Sequence, residues 1–142
     1  MKKYKINIII EELEKENYHL FVELKIGENK ARLLLDTGAS KTVFDKERVL
    51  AFVSKKKIKK HDSKSVGLGA TEVKTKVVKL KKLKIGGMKI EKMEVAVLDI
   101  GHVNQTYKQI NLPEIDGVLG SDFLMKYLAK IDYEKSVLGM KG

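Results

Sequence analysis

The stretch Leu33-Leu34-Leu35-Asp36-Thr37-Gly38-Ala39-Ser40 decides how the rest of the chain is read. Three apolar residues run into an acid, a small hydroxyl residue and a glycine, which is the pattern of a buried strand ending in a tight turn. Asp36 therefore stands where a hydrophobic strand stops, in surroundings that penalise its charge. Gly38 permits backbone angles that a Cβ would forbid and lets another backbone, or a substrate, come close. The stretch predicts a carboxylate prepared for chemistry.

Working outward, Leu20, Val22, Leu24 and Ile26 alternate with more polar neighbours as a half-buried strand. Gly27-Glu28-Asn29-Lys30 turns the chain and Ala31–Leu35 returns, so Asp36 ends the second strand of a hairpin. Upstream, Tyr4–Ile10 reads as a first strand and Glu11–Asn17 as a charged connector. Downstream, Thr42-Val43-Phe44 is predicted extended, with Asp45 capping a short helix that carries Arg48, Val49, Leu50 and Phe52. Gly67-Leu68-Gly69-Ala70 lies between strand-like arms at Val66 and Val73–Leu80, and reads either as an ordinary turn or as a mobile flap.

Leu83-Lys84-Ile85 and Met88-Lys89-Ile90 flank Gly86-Gly87 as a second hairpin. The next strand alternates Met93, Val95 and Val97, and Ala96 and Leu98 make its other face apolar too, which predicts a central position. His102–Ile110 reads as a short helix ending near Asn111, and Leu112-Pro113 as an extended loop. In Ile115-Asp116-Gly117-Val118-Leu119-Gly120-Ser121-Asp122-Phe123-Leu124 two glycines bracket an apolar pair, and Ser121 is the expected N-cap of a helix running through Tyr127. Ala129–Tyr133 and Val137–Met140 close the chain as strands. The expected fold is mostly β, with two or three short helices and no tandem repeat.

With 142 residues and 43% hydrophobic content, the chain is expected to form one domain over residues 1–142, the first 17 supplying a strand and connector. It has no cysteine and three scattered histidines, so neither a disulfide framework nor a thiolate metal site is available, and no metal or cofactor is expected. The apolar run Ile6–Ile10 is too short for a signal-peptide core and no other run could span a bilayer, which predicts a soluble, cytoplasmic protein. The net charge is +10, concentrated at Lys55–Lys60 and Lys79–Lys84. Arg32 and Arg48 are the only arginines and no aromatics interleave the lysines, which favours solvated faces over a nucleic-acid site. Such a surface still prefers acidic peptides to basic ones.

Asp36-Thr37-Gly38-Ala39-Ser40 on an apolar strand, the glycine-tipped hairpin at Gly67–Gly69, and Val118-Leu119-Gly120 before a short helix together resemble the retropepsin-like, single-domain aspartic proteases of the non-viral, bacterial type. The resemblance runs in order from about residue 18 to residue 140. It implies a closed β-barrel and an aspartic endopeptidase acting on a peptide or protein substrate, with the active site formed across the two-fold axis of a homodimer. The chemistry asks for the same pair. Hydrolysis without metal or nucleophile needs one group to take a proton from water while another gives one to the carbonyl oxygen, and two carboxylates sharing one proton do both.

By the resemblance, Asp36 is catalytic, Thr37 hydrogen-bonds across the dyad, and the Gly38 N–H faces the carboxylates. Ala39 and Ser40 line the substrate cleft, Gly67, Leu68, Gly69 and Ala70 form the flap, and Val118, counted with the substrate-binding residues, packs with Leu119 and Gly120 behind the catalytic loop. Viral members carry an acid four residues after the catalytic aspartate and an arginine just after the glycine matching Gly120; here these positions are Ser40 and Ser121, so both partners of that ion pair are absent together. Asp99, Asp116, Asp122 and Asp132 read as turn and cap residues, and His19 and His102 as surface or strand residues. Tyr18, Tyr107, Tyr127 and Tyr133 read as core-edge residues whose hydroxyls reach water. The alternatives are a catalytically weak or silent dimeric peptide-binding module of the same fold and a basic nucleic-acid binder with salt-sensitive affinity.

Overall fold

The isoleucine-rich N-terminus makes two strands where the sequence suggests one strand and a connector. In the computed structural model, which describes residues 1–60 and 75–142, β1 (Lys3–Asn7) and β2 (Ile9–Glu14) are separated at Ile8. Ile8 is buried, and its N–H donates to the Ser136 carbonyl at 2.8 Å. Beyond it the chain leaves a small terminal sheet for the main one. The charged segment continues as strand because Ile9 and Leu13 both pack against a hydrophobic cluster while Glu12 and Glu14 are exposed.

The hairpin leading to Asp36 forms as its alternation dictates: β3 (Asn17–Ile26) pairs antiparallel with β4 (Asn29–Leu35), Val22 opposite Leu33. After the Asp36 turn come β5 (Val43–Asp45), two 3-10 turns at Arg48–Ala51 and Lys55–Lys57, and β6 (Lys59–Lys60). Across Gly86-Gly87, β7 (Lys76–Ile85) and β8 (Met88–Leu98) form one long hairpin, so the short strands suggested on either side are single continuous ones. Then follow α1 (Gly101–Gln109), β9 (Gly117–Leu119), α2 (Ser121–Lys126), β10 (Lys130–Asp132) and β11 (Val137–Lys141).

Among the described residues the barrel strands run β3-β4-β9-β5-β8-β7, and β7 pairs back with β3 through Lys25 opposite Lys84 and Ile26 opposite Leu83, which closes the ring. β4–β9 and β5–β8 are parallel, the other barrel pairs antiparallel. Closure removes the free edges that an open sheet would present. Val22, Leu33, Leu35, Leu80, Val95 and Leu119 belong to the principal core. A second cluster, Phe21, Ile100, Tyr107 and Ile115, joins α1 to the sheet. β1, β11 and β10 form a separate three-stranded sheet in which β1 and β10 are the edges.

The register stacks Lys30 of β4, Lys25 of β3, Lys84 of β7 and Lys89 of β8 in one row, with Lys81 opposite Lys92 nearby, all exposed. The Lys79–Lys84 cluster is thus part of an outer face of the barrel, while Lys55–Lys60 lies on a 3-10 turn and the short β6 beside it. Among the described residues no helix is long and apolar enough to cross a membrane.

Candidate active site

Asp36 follows the last residue of β4, and three hydrogen bonds shape the turn it opens. The Asp36 N–H donates to the Leu119 carbonyl at 3.1 Å, the Ala39 N–H to the Asp36 carbonyl at 3.2 Å, and the Gly38 N–H to Asp36 Oδ1 at 2.9 Å. The last of these fixes the plane of the carboxylate. Asp36 is half-buried, while Thr37, Gly38 and Ser40 are exposed, so the loop presents its acid at the surface of a rigid frame. Thr37 makes no hydrogen bond among the described residues.

The frame comes from the second motif. β9 lies parallel to β4, with Leu35 opposite Leu119, and antiparallel to β5. A Cβ on Gly117 would collide with the Val43 carbonyl oxygen, and one on Gly120 would lie 2.7 Å from that of Ala39. Both glycines are there because backbone passes against backbone. The Ser121 N–H donates to the Ala39 carbonyl at 2.7 Å. Thr42, 1% exposed, ties the rest together. Its hydroxyl accepts from the Gly120 N–H at 3.0 Å and donates to Asp122 Oδ1 at 2.7 Å, while its own N–H donates to the same oxygen at 2.9 Å. Asp122 is thus a loop anchor. Gly120, not Ser121, caps α2, and the Ser121 hydroxyl lies 3.5 Å from the Ser40 carbonyl.

A polar group sits behind the acid. Tyr107 of α1 is 1% exposed, and its hydroxyl lies 2.7 Å from His19 Nδ1. This corrects the expectation that it reaches water: on a mostly polar helix, Tyr107 is the side chain α1 inserts between itself and Phe21, whose ring meets it edge-on at 5.5 Å. The Arg32 guanidinium carbon stands 4.2 Å over the Phe21 ring, with a glutamate contact at 3.8 Å to Glu23. Burial raises the Tyr107 phenol above its ordinary range; the Arg32 cation opposes this and the Asp36 charge adds to it, so both charges lie close enough to act on it. His19 and Asp36 share a cavity of about 390 Å³, walled by Tyr18, Leu34, Ile131 and Tyr133.

Residues 22–123 match the family described as Aspartyl protease. The chain belongs to that family. Among solved structures, a retropepsin-like aspartic protease from Rickettsia conorii superposes with a TM-score of 0.61 at 19% identity, covering 98% of this chain and 89% of that one. The retroviral protease-like domain of Ddi1 from Leishmania major gives 0.53 at 15% identity, covering 82% and 78%. The chain therefore has the retropepsin-like fold, a mostly β closed barrel with few helices. No curated protein matches its sequence.

Of the site residues expected in this chain, Asp36, Thr37, Gly38, Ala39 and Ser40 form one loop, braced by Leu119 and Gly120. Val118 is half-buried against the cluster under α1. Gly67, Leu68, Gly69 and Ala70 lie outside the described residues. The other acids have structural partners. Asp116 accepts from the Arg32 N–H at 2.8 Å and Arg48 Nε at 2.9 Å. Asp45 accepts from the Glu47, Arg48 and Ile100 N–H groups, and Asp132 from Lys135. Hydrogen bonding from the Gly101 N–H, with Lys46 nearby, holds Asp99 below the usual carboxylate range. Sequence reasoning missed Thr42, Arg32 and the pairing of His19 with Tyr107. Only the place of Thr42 directly before the apolar Val43-Phe44 hinted at the first. Among the described residues no group of three or more His, Cys, Asp or Glu could hold a metal ion.

Proposed function

We propose that this chain is an aspartic endopeptidase, one protease domain over residues 1–142, that hydrolyses extended peptides with a water held between two Asp36 carboxylates, one from each chain of a homodimer. The observation that carries the reading is the Asp36 loop: an acid fixed by the Gly38 N–H at 2.9 Å, at the mouth of a frame assembled from β4, β9 and Thr42, while Asp45, Asp116 and Asp122 are committed elsewhere. One such acid per chain is half of what the chemistry needs. Two carboxylates in contact cannot both ionise and titrate as a unit. The ionised one takes a proton from water as the oxygen attacks the peptide carbonyl, and the protonated one gives its proton to the carbonyl oxygen. In the collapse of the resulting diol the proton passes to the leaving nitrogen.

Support for a partner chain comes from the surface near the loop. Among the described residues the terminal sheet leaves β10 unpaired on one side, and Tyr18 and Tyr133, which line the cavity beside Asp36, are exposed large side chains. Thr37, without a hydrogen bond among the described residues, would reach across the axis. Gly67, Leu68, Gly69 and Ala70 would close over the peptide as flaps and keep bulk water out.

Asp36→Asn tests the reading. The variant is expected to keep the fold and the dimer in sedimentation while losing cleavage of a peptide library; cleavage retained at the wild-type rate refutes it. Peptide binding without turnover by the wild-type chain would make it a silent peptide-binding module instead.

A further inference from the structure

We propose that His19 is a specificity-determining residue of the peptide cleft, presenting a fixed N–H donor that selects glutamine at one substrate position. The inference rests on the peptide-cleft reading of the Asp36 loop and adds a substrate preference to it. His19 Nδ1 and the Tyr107 hydroxyl are 2.7 Å apart. A phenol at 1% exposure needs an acceptor for its proton, and among the described residues His19 is its hydrogen-bond partner. Were Nδ1 the donor, the phenol proton would be buried without an acceptor. Tyr107 therefore donates to Nδ1, and the neutral ring carries its proton on Nε2. The ring cannot swing away easily: it meets Tyr107 edge-on at 5.7 Å and Phe21 at 6.4 Å.

Nε2 has no protein partner among the described residues, and His19 lines the cavity that Asp36 also lines. Leu34, Ile131 and the rings of Tyr18 and Tyr133 supply apolar surface between the cavity's polar groups. A side chain that fits needs an apolar stem and an acceptor oxygen at its tip, which describes glutamine and glutamate. The Asp36 carboxylate on the same wall disfavours a second negative charge, and that leaves glutamine. Tyr107 touches no substrate; it is a positioning residue that sets the tautomer.

The test uses the Asp36→Asn chain, expected to bind without cutting, and fluorescent extended octapeptides carrying Gln or Met at each position in turn. Methionine matches the length of glutamine but offers no comparable acceptor. One position is expected to favour Gln by roughly five- to tenfold in Kd, the size of a single net hydrogen bond. The preference is expected to vanish with His19→Phe and to shrink with Tyr107→Phe, and long-range nitrogen NMR is expected to find the His19 proton on Nε2. A Gln preference that survives His19→Phe, no preference at any position, or a proton on Nδ1 overturns the proposal while leaving the peptide cleft intact. Absence of any peptide binding overturns the cleft and this proposal together.

Discussion

The bracing of the Asp36 loop by Thr42 makes a prediction in which two physical effects oppose each other. Thr42→Val keeps the buried volume and removes the hydroxyl; Thr42→Ser keeps the hydroxyl and removes a methyl. In the valine variant the buried Gly120 N–H loses its acceptor, an unsatisfied donor that costs about 1–3 kcal/mol. Asp122 also loses one of two donors but keeps the Thr42 N–H, so we predict a total of roughly 2–4 kcal/mol. The serine variant loses one buried methyl, about 1 kcal/mol. With a slope near 2 kcal/mol per molar, urea midpoints should fall by roughly 1–2 M for valine and about 0.5 M for serine. Each is read from equilibrium unfolding at matched slope. A valine variant as stable as the serine variant, or more so, refutes the reasoning, because burial rather than hydrogen bonding would then hold the loop.

Two further predictions concern charge. Lys25 faces Lys30 on one side and Lys84 on the other, and like charges directly opposite one another destabilise a sheet. Lys25→Glu should therefore raise the urea midpoint at low salt, with the gain disappearing near 1 M salt, where the screening length is about 3 Å; an unchanged low-salt midpoint removes the repulsion from consideration. The buried Tyr107 phenol, its proton held more tightly than the ordinary 10.0, contributes stability that is full below that pH and is lost as pH rises through the folded value, because the unfolded phenol ionises first. Tyr107→Phe should flatten this alkaline limb of the stability profile, as followed by denaturation at a series of pH values; an equally steep limb in the variant denies the phenol that role.

The Asp36 hairpin was legible because it obeys local rules: period-two alternation in β3, a glycine turn, and an apolar run into an acid. The two glycines around Val118-Leu119 were legible for a similar reason, since their crowding leaves a trace in residue type. What the chain hides is long-range. The break at Ile8 depends on Ser136, and the brace of the loop pairs Thr42 with Asp122, 80 residues on. Nothing in the local pattern at either end announces its partner. Ser121 was the expected cap because serine suits that position, yet Gly120 occupies it, since the chain must pass against Ala39 and Lys41 there. Tyr107 was misread because one aromatic on a polar helix looks like an edge residue until the helix is seen covering Phe21.

The 80-residue span of the Thr42–Asp122 tie also orders events during synthesis. At a translation rate of about 5–20 residues per second, Asp122 leaves the ribosome roughly 4–16 seconds after Thr42. Until then the Asp36 loop has its local Gly38 bond but lacks its long-range tie, so the site's geometry is completed late in synthesis.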